Sequence, residues 1–192
     1  SGAGRRSRLM AWLLLIRGVA LWAGAHLFKR IAPERRAEMG DKGRGLVALA
    51  LFTSIILMVV GYRWVEDPQF WFPPYFLIHI NNLLILIAIF LMSPAPKKGR
   101  LISGMRHPML IGFGLWAFAH LMVNGNLAAI LLFGGLLVWS ITEQIAINRA
   151  EPDWTAPAPG ALKYDAMFAV GSVILLVVIG YIHFWLGVWP FG

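Results

Sequence analysis

The 192 residues are 59% hydrophobic and 14% charged, with 17 Lys and Arg against 9 Asp and Glu for a net charge of +8. Soluble domains carry about a quarter charged residues, so this balance excludes an ordinary soluble domain and describes an integral membrane protein, whose basic excess sets topology and meets anionic lipid headgroups; no nucleic-acid motif competes with that reading. The absence of cysteine removes disulfides, cysteine-ligated zinc, iron–sulfur clusters and covalently attached c-type haem. Metal or haem chemistry then falls to five histidines: His26, His79, His107, His120 and His183.

The opening SGAGRRSR reads in part as a cloning remnant, and the first apolar run lacks a convincing signal-peptidase site, so it is taken as a retained span. Six spans are predicted, at about 9–28, 46–65, 75–92, 108–123, 127–147 and 166–185, each near the roughly 20 residues that cross a bilayer and the fourth the shortest. Within the hydrocarbon core they must be helical, because no water satisfies the backbone there. The expected architecture is an all-α polytopic membrane helix bundle, a single transmembrane domain over residues 9–190.

Between the first two spans runs a basic, helix-friendly segment with Lys29, Arg30, Arg35, Arg36, Lys42 and Arg44. The loop before the fourth span holds Lys97, Lys98, Arg100 and Arg106, whereas the loops after the second and fourth spans hold little positive charge. The positive-inside rule therefore puts the basic loops in the cytoplasm and both termini outside, with Arg5, Arg6 and Arg8 arguing the other way. Trp64, Trp71, Phe72, Trp185 and Trp189 then form an aromatic belt at the outer boundary. The Ala- and Pro-rich residues 151–160 are a loop.

Two stretches echo each other. Gly18-Val-Ala-Leu-Trp22-Ala-Gly-Ala-His26-Leu27 aligns with Gly112-Phe-Gly-Leu-Trp116-Ala-Phe-Ala-His120-Leu121. Spans one and four run in opposite directions, so the echo suggests an inverted three-plus-three repeat, an arrangement that puts a shared site near the bilayer midplane. Small residues also recur at helix interfaces for packing alone. On each helix Gly, Trp and His stand at i, i+4 and i+8, nearly one face: a flat approach for a ring, a wall, and a neutral nitrogen ligand for iron. The plainer reading is tight packing around a histidine hydrogen-bonded to a neighbour.

Depth separates the candidates. His26 falls toward the cytoplasmic side, and His120, His79 and His183 toward the outer side; drawn on straight helices, His26 and His120 are more than about 10 Å apart in depth. His79, in the unusually polar His79-Ile-Asn81-Asn82, is the depth-matched partner for His120. His107, before Pro108 at a helix start, reads as a cap or headgroup contact. Arg17, near mid-span, could neutralise a haem propionate or substrate anion, or snorkel. Arg63 with Tyr62 is a second propionate candidate or an interfacial anchor, and Glu143 with Gln144 reads as a partner for Arg149 before a proton relay.

Arg106-His107-Pro108-Met109, then Leu115-Trp116-Ala117-Phe118-Ala119-His120-Leu121 and Asn124-Gly125-Asn126, resemble the signature of the NnrU family. Gly24-Ala25-His26, the second span ending in Tyr62, Pro73-Pro74 through His79, and His183 extend the resemblance over nearly the whole chain. It implies a multi-pass protein of the bacterial inner, or cytoplasmic, membrane that supports nitrite and nitric oxide reduction in denitrification. The family is similar to the plant zeta-carotene isomerase, a membrane haem b enzyme, whose proposed axial ligands correspond to His26 and His120. Ala117 stands where the isomerase has a cysteine implicated in redox switching, so a thiolate switch cannot operate in this chain. The resemblance thus implies bis-histidine haem b with redox or isomerase chemistry, on a small hydrophobic substrate in the second case. Alternatives are a non-catalytic assembly factor for a nitrite or nitric oxide reductase, and a small-solute transporter suggested by the repeat.

Overall fold

The computed structural model describes residues 2–192. Its helices are α1 (Gly2–Ile31), α2 (Pro33–Glu38), α3 (Gly40–Trp64), α4 (Phe76–Met92), α5 (Ala95–Lys98), α6 (Pro108–Val123), α7 (Leu127–Ala150) and α8 (Leu162–Trp185). Among the described residues no strand forms; one antiparallel bridge joins Gln69 to Asn126. The protein is an all-α, multi-pass membrane protein. Helices α1, α3, α7 and α8 are long and apolar enough to cross a bilayer. Helices α4 and α6 are apolar but only 17 and 16 residues long, about 25 Å at 1.5 Å per residue. The third span is therefore short as well as the fourth.

The helix ends differ from the expected spans in one direction. α1 continues to Ile31, α3 starts at Gly40, α7 ends at Ala150 and α8 starts at Leu162. These extensions carry the charges that hydropathy counts against a span, yet Lys, Arg and Glu are good helix formers. The basic segment after the first span is accordingly helical, broken before Pro33 and again at Gly40, whose φ of +53° suits glycine. Pro108 takes the first helical position of α6, where its missing N–H costs nothing.

The chain forms two compact units. One takes the chain through Trp71 together with Gly125–Ala150, and so holds α1, α2, α3 and α7. The other takes Phe72–Asn124 and Glu151–Gly192, and holds α4, α5, α6 and α8. Each unit draws on both halves of the sequence, so the compact groups do not follow a division into spans one to three and four to six.

In the first unit α1 packs along α3. The buried residues of α1 are Ala11, Leu15 and Gly18, and those of the transmembrane part of α3 are Ser54, Met58 and Gly61, two stripes of the same four-then-three spacing. A Cβ on Gly18 would lie 2.7 Å from Met58 N and Cγ, and one on Gly61 would lie 2.5 Å from Leu15 N. The backbones touch because both glycines lack side chains, the small-residue route to helix association where lipid removes the hydrophobic drive.

Helix α7 starts without a capping side chain of its own. Asp67, in the segment after α3, supplies the cap: its Oδ2 accepts the Ala128 N–H at 2.6 Å and the Asn126 amide at 3.0 Å. The Phe70 N–H donates to Gly125 O and the Leu127 N–H to Pro68 O. The first turn of α7 then passes into a π-helical stretch, Ile130–Gly134, before α-helix resumes.

In the second unit α4 packs against α6 and α8. Ile85, Ile89 and Ala119 form its apolar centre, with Leu84, Trp116, Leu176 and Ile179 packed around it. Helix α8 buries only Asp165, Ser172 and Gly180, and most of its valines, isoleucines and leucines are exposed, as a lipid-facing helix requires. Ser172 bonds back to Phe168 O at 2.6 Å, satisfying its hydroxyl within the helix. Asp165, 3% exposed, accepts the backbone N–H groups of Arg100 at 2.7 Å and Leu101 at 3.4 Å. At the other end Asn82 donates to Pro190 O at 2.9 Å, and the Phe191 ring occupies the space a side chain on Gly180 would need.

Candidate functional site: two tryptophan–histidine helices

The echo in the sequence corresponds to a shared local geometry. On α1 the His26 Nδ1–H donates to Trp22 O at 3.1 Å, and the two rings lie 4.4 Å apart at 47°. On α6 the His120 Nδ1–H donates to Trp116 O at 3.0 Å, with the rings 4.9 Å apart at 49°. A carbonyl can only accept, so the proton sits on Nδ1 and Nε2 keeps its lone pair. His183 repeats this on α8, with Nδ1 2.8 Å from Ile179 O. These are the tautomer and backbone bond that orient a metal-ligating imidazole.

The glycines of the echo also behave alike. A Cβ on Gly18 would meet Met58 and Leu57 of α3, and one on Gly112 would meet Met92 Cγ at 2.8 Å, Ala88 O at 2.9 Å and Leu91 Cβ at 3.0 Å of α4. In each unit a Leu-Met pair on the hairpin partner closes over the glycine. Gly112 therefore packs against a helix and does not offer the flat cofactor approach expected of it; close packing needs the missing Cβ for the same steric reason that a planar ring would. Trp116 packs on the apolar centre of its unit and stacks against Phe113 at 5.2 Å.

The third helix of each unit brings a different ring to the histidine. In the first unit Trp139 of α7 lies 4.6 Å from His26 and 5.5 Å from Trp22, edge-on to the latter, so His26 is held between two indoles. In the second unit His183 of α8 lies 6.4 Å from His120 at 35°. Two imidazoles sharing one metal through Nε2 have centroids about 6 Å apart, given metal–nitrogen bonds of about 2 Å. His26 and His120 belong to different units. His79 is exposed on α4, edge-on to Tyr75 at 5.3 Å and near Gly192. The neighbour of His120 is His183, which shares its expected depth but lies outside the Gly-Trp-His echo that singles out His26 and His120.

The remaining candidates are dispersed. Arg17, near the middle of α1, and Arg63, at the end of α3, are both exposed. Tyr62 meets Phe133 of α7 edge-on at 6.0 Å. Glu143 is 8% exposed and faces Trp139 and Arg30, in place of the expected Arg149. Gln144 is half-buried, and His107 is the N-cap of α6 without a side-chain capping bond. Asn81 is buried and donates to Asn82 at 3.2 Å, while its Oδ1 finds no partner among the described residues. Among the described residues no three His, Cys, Asp or Glu side chains come together. The imidazoles that come together are His120 and His183.

The family model described as NnrU protein matches residues 14–190, so the chain belongs to the NnrU family. Neither the curated proteins nor the solved structures contain a match to it.

Proposed function

We propose that this NnrU protein is a haem b protein of the bacterial cytoplasmic membrane, supporting nitrite and nitric oxide reduction, in which His120 and His183 would hold the iron. The observation that carries this reading is the His120–His183 pair, 6.4 Å between centroids, each ring with its proton on the carbonyl-bound Nδ1. Bis-imidazole haem supplies a one-electron couple. The chain's own part is to hold two neutral imidazoles in fixed orientation and raise their basicity through the Nδ1–H bonds. Ala119, beside His120, belongs to the apolar centre of the unit, and Ile179, whose carbonyl holds His183, packs against it. The resemblance instead pairs His120 with His26, and depth pairs it with His79.

Absorption spectra of the detergent-solubilised protein, oxidised and reduced, test the reading beside His26→Ala, His79→Ala, His120→Ala and His183→Ala. A low-spin haem b spectrum is expected in the wild type, lost or turned high-spin in the His120 and His183 variants and retained in the other two. Loss in His26→Ala or His79→Ala with retention in His183→Ala reassigns the second ligand. A wild type that takes up no haem on reconstitution overturns the haem reading and leaves the assembly-factor role.

A further inference from the structure

The turn from α1 through α2 into α3 borders an open cleft of about 550 Å³, lined by Lys29, Arg30, Arg36, Asp41 and Arg44 and by Ala150 at the end of α7. All belong to the first unit. Four cations line it with one carboxylate, Asp41, which is paired with Arg44 at 3.6 Å, and Arg30 also faces Glu143 of α7, which leaves Lys29 and Arg36 as the surplus positive charge. The first turn of α3 lines the same space at Gly40, adding the positive end of a 25-residue helix. Arg36 is fixed in place by its bond to Gly40 O at 3.2 Å and by packing on Gly43. Ile31 and Leu46, 74% and 54% exposed, flank the turn with apolar surface.

We infer that this cleft binds a phosphate-bearing anion, with the headgroup of an acidic phospholipid as its natural source. Cations concentrated at the mouth of membrane helices on the positive-inside face meet the anionic leaflet, and the flanking apolar residues lie where acyl chains run. The excess of cations selects a net anion, because the choline of a zwitterionic lipid would bring a further positive charge into the cluster. The site is independent of the histidine pair, which lies in the other unit.

The full chain in detergent is titrated separately with phosphatidylglycerol, phosphatidylcholine and inorganic pyrophosphate, and retained ligand is read by native mass spectrometry. Lys29→Gln/Arg44→Gln is compared with Arg5→Gln/Arg6→Gln, an equal change of charge elsewhere in the same unit; Arg36 is left because it braces the turn. Phosphatidylglycerol is expected to bind in preference to phosphatidylcholine, and to bind the cleft variant weaker by about tenfold or more with the control unaffected. The single variant Lys29→Glu, at an exposed position, is expected to weaken binding in the same direction without disturbing the fold. Pyrophosphate binding with the same dependence, without lipid binding, keeps the phosphate site and makes its source soluble. Equal weakening in cleft and control variants, or no anion bound by the wild type, overturns the inference.

Discussion

Replacing Gly61 with alanine is expected to destabilise the protein by about 2 kcal/mol, net of a helix-propensity gain of about 1 kcal/mol, because overpacking at a rigid contact costs about 3 kcal/mol. The obstacle decides the sign. The added Cβ meets Leu15 N at 2.5 Å, Leu15 Cα at 2.8 Å and Ala11 O at 2.9 Å, all backbone of α1. A flexible side chain could swing aside, but a helix backbone moves only as a whole, and shifting it opens the Ala11–Leu15–Gly18 stripe along its length. Gly24→Ala is the matched control, since nothing lies within 4 Å of its Cβ position and only the propensity gain applies. Unfolding in detergent titrated with a denaturing surfactant compares the two. Equal stability of the two variants would show that α1 and α3 do not approach through Gly61.

Asp165→Ala is expected to loosen the segment before α6 by about 2–5 kcal/mol, the cost of stranding two backbone donors that had bonded to a charged acceptor. Asp165 sits in the first turn of α8, where the helix dipole also favours a carboxylate. It works across a long stretch of sequence by holding the Arg100 and Leu101 N–H groups, and Gly99 leaves room for its Oδ1. Asp165→Asn keeps one acceptor and turns an amide N–H₂ toward the other donor, so it should fall between wild type and alanine. Trypsin provides the readout, because Lys97, Lys98 and Arg100 are exposed and border the clasp. Cleavage there should accelerate in the order wild type, asparagine, alanine. Identical rates in all three would remove Asp165 from any part in holding the loop.

The six apolar helices were legible because hydropathy registers transfer into lipid, which is the property that selects them. Their charged ends were not: the continuation of α1 through Lys29 and Arg30, and of α3 back to Gly40, depends on helix propensity in the headgroup region, where hydropathy falls. The Gly-Trp-His echo was legible as pattern, and its local geometry recurs on α1 and α6. Its extension to a three-plus-three repeat ran beyond the observed packing. Gly18 and Gly112 are each closed by a Leu-Met pair of the neighbouring hairpin strand of helix, which associates α1 with α3 and α4 with α6. Asp67 and Asp165 were hidden for another reason. Each acts on backbone donors remote in sequence, and a lone aspartate in a loop or a first helical turn carries no sign of the chain it will hold. His183 was visible as a late histidine at the depth of His120, but only packing could tell which ring it would face.

The π-helical turn at Ile130–Gly134 sets a phase. Asp67 fixes the start of α7 by holding Asn126 and Ala128, while Trp139 and Glu143, one turn apart farther along, must face His26 and Arg30. One surplus residue in the turn slips the ladder by a step, and each residue of an α-helix is worth about 100° of rotation. Deleting a single residue from 130–134 would remove that surplus, let the hydrogen bonds close in ordinary α register, and leave both the Trp139 face toward His26 and the Asp67 clasp in place. The two ends of the helix are indexed to different partners, and the irregular turn absorbs the one residue by which the chain between them exceeds an α-helical count.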